Sequence, residues 1–142
     1  QKDSCLPMTL YIYLQVKPIQ QISFSSPLSE WLTTYDPTIV MAEVDNHSEA
    51  FLVSKCVPLI EKADQIILHM EAHEEEILGA LKSIFERFRK LKKPILSITQ
   101  GDHQGLVSML KLMKIDSNNV SDLAKAKSLI SDFFNLEINS KN

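Results

Sequence analysis

Three of the four histidines follow stretches that read as strands, and each has a carboxylate close by. His47 comes after Glu43 and Asp45, His73 lies between Glu71 and Glu74, and His103 follows Asp102. Imidazole changes charge near neutral pH and, when neutral, ligates transition metals, while carboxylates supply oxygen ligands or general acid–base groups. Two chemistries follow. In one, Glu71 or Glu74 is a nucleophile or base, with Asp102 or His103 nearby. In the other, His73, His103 and Glu71 ligate a metal ion in a metal-assisted hydrolase. A plainer reading competes with both, because Asn46, Asp102 and the run Glu74 to Glu76 are also what helix starts require. His69, set among apolar residues, reads as a hydrogen-bonded core histidine. Tyr11 and Tyr13 share a face and read as packed under a helix. The basic cluster Arg87 to Lys93 matches a solvated helix end. Cys5 and Cys56 have no basic neighbour in sequence that would activate a thiol.

Those residues are informative only if the elements between them carry them to one place. Met8 to Val16 alternates, with Leu10, Ile12, Leu14 and Val16 on one face and Thr9, Tyr11, Tyr13 and Gln15 on the other, which predicts a strand. Ile19 to Ser26 is either a short extra strand or a pinned loop. Ser26-Pro27 marks a helix start running to Thr34. Thr38 to Val44 predicts a buried strand, and Asn46 with Glu49 a capping box for the following helix. Pro58 breaks that helix and starts a short turn. Ile66 to Met70 predicts a third strand. Glu74 to Lys92 has apolar residues at helical spacing, acidic residues first and basic residues last, and predicts the clearest helix. After Pro94, Ile95 to Thr99 predicts a fourth strand. Asp102 is the expected cap of a helix over Gln104 to Lys114, and Ser121 that of a last helix. Ile115 to Asn119 is at most a vestigial strand.

Strands alternating with helices, most of them uninterrupted apolar runs, predict strands covered on both faces. The expected fold is α/β: a three-layer α/β/α sandwich with a mainly parallel four- or five-stranded sheet in the flavodoxin-like order. Residues 1–142 form a single expected domain, with 1–7 and 139–142 frayed. The first residue is Gln1 rather than methionine, which reads as a trimmed or processed start, and 1–7 carries no signal-peptide pattern. With 18 acidic and 15 basic side chains the formal charge is −3, which argues against a nucleic-acid surface. Two cysteines fit a reducing compartment, and no apolar run predicts a membrane span, so a cytoplasmic location is expected. No G-x-G-x-x-G, P-loop, C-x-x-C, H-E-x-x-H or G-x-S-x-G occurs, so no cofactor is implied.

In parallel sheets, ligands bind beyond the carboxyl ends of the strands. There the loops should gather Lys17, Gln20 and Gln21; Glu43, Asp45 and His47; Glu71, His73 and Glu74; and Gln100, Asp102, His103 and Gln104. Ile12-Tyr13-Leu14, then Leu59 to Ile67, then Lys93-Pro94-Ile95-Leu96 resemble in spacing the nucleoside 2-deoxyribosyltransferase-like proteins. The resemblance implies a catalytic glutamate near the helix that follows the third strand, a region where this chain has Glu71, Glu74, Glu75 and Glu76. The Asp/Gly/Ser-rich segment that precedes that glutamate in the family has no counterpart here. Two functions are therefore expected. The first is a small binding or regulatory module acting through protein–protein contacts, with self-association through helices 104–114 and 121–135 because Met109, Leu110, Leu112 and Met113 make the first of these broadly apolar. The second is a small enzyme at the carboxyl edge, either a nucleoside-processing transferase or hydrolase or a metal-assisted hydrolase.

Overall fold

The computed structural model describes residues 7–141. The expectation of frayed ends lies outside the described residues for 1–6 and 142, as does Cys5. Strand β1 (Thr9–Val16) leads to helix α1 (Pro27–Tyr35), β2 (Val40–Asp45), and the short helices α2 (Ala50–Ser54) and α3 (Val57–Lys62). Then follow β3 (Gln65–Ala72), α4 (Lys82–Phe88), β4 (Ile95–Gln100), α5 (Gln104–Leu112), β5 (Ser117–Asn119) and α6 (Leu123–Lys141). All strand pairs are parallel, in the order β2-β1-β3-β4-β5, which is the expected one.

The alternation in β1 decides which layer each side chain enters. Leu10, Ile12, Leu14 and Val16 join Ile66, Leu68 and Met70 in a core closed by Val53, Ile60, Ile84, Phe85, Phe88, Leu106 and Leu110 from α2 to α5. Tyr11, Tyr13, Ile67 and Ile98 face the other way, under Leu28 and Leu32 of α1 and Ala126 and Ile130 of α6. Helices thus cover both faces of the sheet, which gives the three layers. Since α5 and α6 lie on opposite faces, the last helix does not cover α5, and Leu112 remains 66% exposed. Among the described residues, no helix is long and apolar enough to cross a membrane.

Several local expectations are corrected. The helix expected from Glu74 is α-helical only over Lys82–Phe88, after a single 3-10 turn at Gly79–Leu81, and Ile77 is exposed. Gly79 interrupts the apolar stripe with a positive φ of 60°, a conformation that ends rather than continues a helix. β2 is an edge strand, half-buried along most of its length rather than enclosed. Ile19–Gln21 is a 3-10 turn. The cap of α5 is His103, not Asp102, and Glu49 begins α2 without a side-chain cap. At α6 the Asp122 carboxylate, not Ser121, accepts from the Lys125 amide. The start of α1 is as expected: Ser26 and Ser29 cap one another reciprocally, with Pro27 at the first position.

Directly after β4 the chain turns at Gly101 with φ 89°, and a Cβ there would lie 2.3 Å from the Ala72 carbonyl oxygen. This close approach places the end of β4 against the end of β3. Gly101→Ala should therefore lower unfolding free energy by about 1–3 kcal/mol, read by urea titration. A variant as stable as the parent would remove this constraint from the account.

Candidate functional site

Residues two apart on a strand share a face, so the register assembles a polar ladder at the carboxyl rim. Gln15, Glu71 and Gln100 stand side by side on β1, β3 and β4, and Tyr13 and His69 form the next row inward. The rows lie on the α1/α6 face. The ring planes of Tyr13 and His69 stack with centroids 5.1 Å apart.

Glu71 is the centre. Its Oε1 accepts from the Tyr13 hydroxyl and from Lys17 Nζ, each at 2.5 Å. Its Oε2 accepts no hydrogen bond among the described residues and lies 3.9 Å from His69 Nε2. Burial pushes the Glu71 carboxyl up, but the Lys17 and Tyr13 bonds and the Lys17 charge outweigh it, so its pKa falls below the usual glutamate value. The carboxylate is ionised at neutral pH. Burial, reinforced by the Glu71 hydrogen bond, raises the Tyr13 phenol, which stays protonated and donates.

A second chain of bonds ends at the same place. Gln100 Oε1 can only accept, so His69 Nε2 carries the imidazole hydrogen and donates to it at 2.5 Å. The neutral ring then accepts at Nδ1 from the Tyr11 hydroxyl at 2.7 Å. With its own hydrogen so used, Tyr11 Oη accepts from Ser26 Oγ at 3.0 Å, and Ser26 Oγ in turn accepts from the Ser29 amide. Burial lowers the His69 pKa, with the Gln100 bond only partly opposing, so the ring is neutral at pH 7. The carboxamide nitrogen of Gln100 is left without a partner among the described residues.

A cavity of about 160 Å³ opens beside these groups. Ser26, His69, Glu71, Gln100, Asp122 and Leu123 line it, so it sits between the starts of α1 and α6. A larger hollow of about 520 Å³ lies at the opposite, amino edge of the sheet. One of its cations, Lys93, is engaged with the carbonyls of Ile60, Glu61 and Ala63 at the end of α3. The smaller cavity adjoins Glu71 and His69, two groups with shifted pKa values whose hydrogen bonds meet at one place, and chemistry is to be sought there.

The residues expected from sequence divide sharply. Glu71 is in the site. Glu74, Asp102 and His73 are exposed on the loops around it. His103 is buried and structural: its Nδ1 accepts from the Leu106 amide, and its Nε2–H donates to the Glu76 carbonyl at 2.6 Å. His47 bonds through Nε2 to the Lys17 carbonyl. His73, His103 and Glu71 do not gather, and among the described residues no group of three or more histidine, cysteine, aspartate or glutamate side chains is placed to hold a metal ion. Cys56 is buried, which raises its thiol pKa. The residues that sequence reasoning set aside as packing, Tyr11, Tyr13 and His69, are the ones that join Glu71, Lys17 and Gln100. The period of two in β1 and β3 was the signal for them, since it puts 11, 13 and 15 on one face and 67, 69 and 71 on one face.

Comparison with family models, with curated proteins and with solved structures finds no match for this chain. Any reading of the site rests on its own geometry.

The lowered His69 pKa has a definite sign in stability. Below about pH 6.5 the unfolded chain takes up a proton that the folded imidazole resists, so stability falls as pH falls through that window. His69→Gln should flatten the thermal-unfolding profile there, removing a slope of up to about 1.4 kcal/mol per pH unit. Parallel profiles for parent and variant would contradict the neutral buried imidazole.

Proposed function

We propose that this chain is a small enzyme working at the carboxyl edge of its sheet, with Glu71 as nucleophile in a hydrolysis or group transfer on a nucleoside-type substrate. One observation carries the reading: an ionised carboxylate with one oxygen held by Lys17 and Tyr13 and the other left free beside a cavity. A lowered pKa makes Glu71 a poor general base at neutral pH but keeps it charged, and that suits a nucleophile or a stabiliser of developing positive charge. In such a reaction Oε2 bonds to the anomeric carbon as the carbon–nitrogen bond breaks. The electron pair leaves with the base, which takes up a proton from solvent. Water or an acceptor hydroxyl then displaces Glu71, losing its proton to solvent. The resemblance in strand spacing supports a nucleoside-type substrate, although Glu71 lies within β3, ahead of the segment leading to the next helix where the resemblance implies the glutamate.

The alternative, a module that binds another protein, draws support from Phe51 and Leu52, adjacent and exposed on α2. Turnover separates the two. Release of free base from a panel of ribo- and deoxyribonucleosides should be detected with the parent protein and should fall by about a thousandfold or more in Glu71→Gln, while the fold is retained by circular dichroism. Equal rates in parent and Glu71→Gln, or no turnover in the parent, would overturn the enzyme reading.

A further inference from the structure

We propose that Glu71 and Gln100 together clamp neighbouring hydroxyl groups on an uncharged sugar ring, with Gln100 as the specificity-determining residue. This rests on the reading of the cavity as a substrate site and names what enters it. The two side chains are register partners on adjacent strands, and both line the cavity. Strands in a sheet are about 4.8 Å apart, so groups on them reach neighbouring positions of one ring. Their free valences are complementary. Glu71 Oε2 can only accept, and the Gln100 nitrogen can only donate, because the hydrogen-bond chain from Ser26 through Tyr11 and His69 already occupies the Gln100 oxygen. One hydroxyl donates to Glu71 and its neighbour accepts from Gln100.

Charge argues against a phosphate or carboxylate ligand in the same cavity. Among the described residues the cation paired with Glu71 is Lys17, which points its Nζ at Glu71 Oε1, Gln15 Oε1 and Tyr13 and does not line the cavity. The helix starts that face it carry their own acceptors: Ser26 Oγ receives the Ser29 amide, Pro27 has no amide hydrogen, and Asp122 receives the Lys125 amide. Size agrees. At about 160 Å³ the cavity is roughly half the lower bound for pockets that enclose a drug-sized ligand, so it takes one ring and leaves the rest of the substrate outside.

Isothermal titration with adenosine, 2′,3′-dideoxyadenosine and inorganic phosphate tests this. Adenosine should bind about tenfold or more tightly than the dideoxy compound, the worth of one or two well-placed hydrogen bonds, and phosphate should give no heat. Gln100→Leu should lower the ratio about threefold or more, with the remainder due to the hydroxyl that Glu71 still holds. Gln100→Glu, which keeps an acceptor for His69 and loses the donor, should do the same if the leucine variant fails to fold. A parent ratio near one, phosphate competing with adenosine, or an unchanged ratio in Gln100→Glu would overturn the clamp. Turnover abolished by Glu71→Gln together with a ratio near one would leave the enzyme reading standing and remove only the clamp; a large ratio without turnover would do the reverse.

Discussion

A carboxylate taken partly out of water must find compensating partners, and at the rim of this sheet Glu71 finds them on other strands' loops and faces. Lys17 arrives from the end of β1, and Tyr13 from one row inward. The net effect is a lowered pKa despite burial, so pairing wins over desolvation here. Much of the edge is organised around holding those partners. Gln15 binds Lys17 Nζ and also both the amide and carbonyl of Ser23, which folds the loop after β1 back over the sheet. Without that loop conformation, Ser26 could not both begin α1 and meet Tyr11.

The histidines that looked like ligands serve a related purpose. The Lys17 amide donates to Asn46, Asn46 donates to the Glu76 carboxylate, and the Glu76 carbonyl accepts from His103. This series links the loops after β1, β2, β3 and β4, on the far side of the rim from the cavity. Loops carrying many backbone polar groups need such bonds where they are shielded from water. The same residue types that build metal sites also tie loops together, and spacing alone does not distinguish the two uses. Partners do: both nitrogens of His103 are occupied by backbone groups, whereas His69 ends on Gln100, a side chain that lines the cavity.

How much of this was legible in the chain depends on the range of the interaction. Period two in β1 and apolar runs in β3 and β4 required strands, and Ser26-Pro27 required a helix start; both are local demands of the backbone, and the layered α/β fold follows from them. The long helix expected from Glu74 failed because Gly79 overrides an apolar stripe that is correct on its own terms. β2 failed as a buried strand because strand order, not composition, decides which strand lies at an edge.

The site divides in the same way. From its own residues the chain determined that a glutamate and several polar side chains end the strands at the carboxyl edge, because alternation and strand length are properties of short segments. Only the tertiary structure decided which of them meet. Glu71 and Tyr13 are 58 positions apart, and His69 and Gln100 are 31 apart, so their pairing is set by parallel register across β1, β3 and β4 rather than by any local preference. A shift of one residue in that register would turn every one of these side chains to the opposite face.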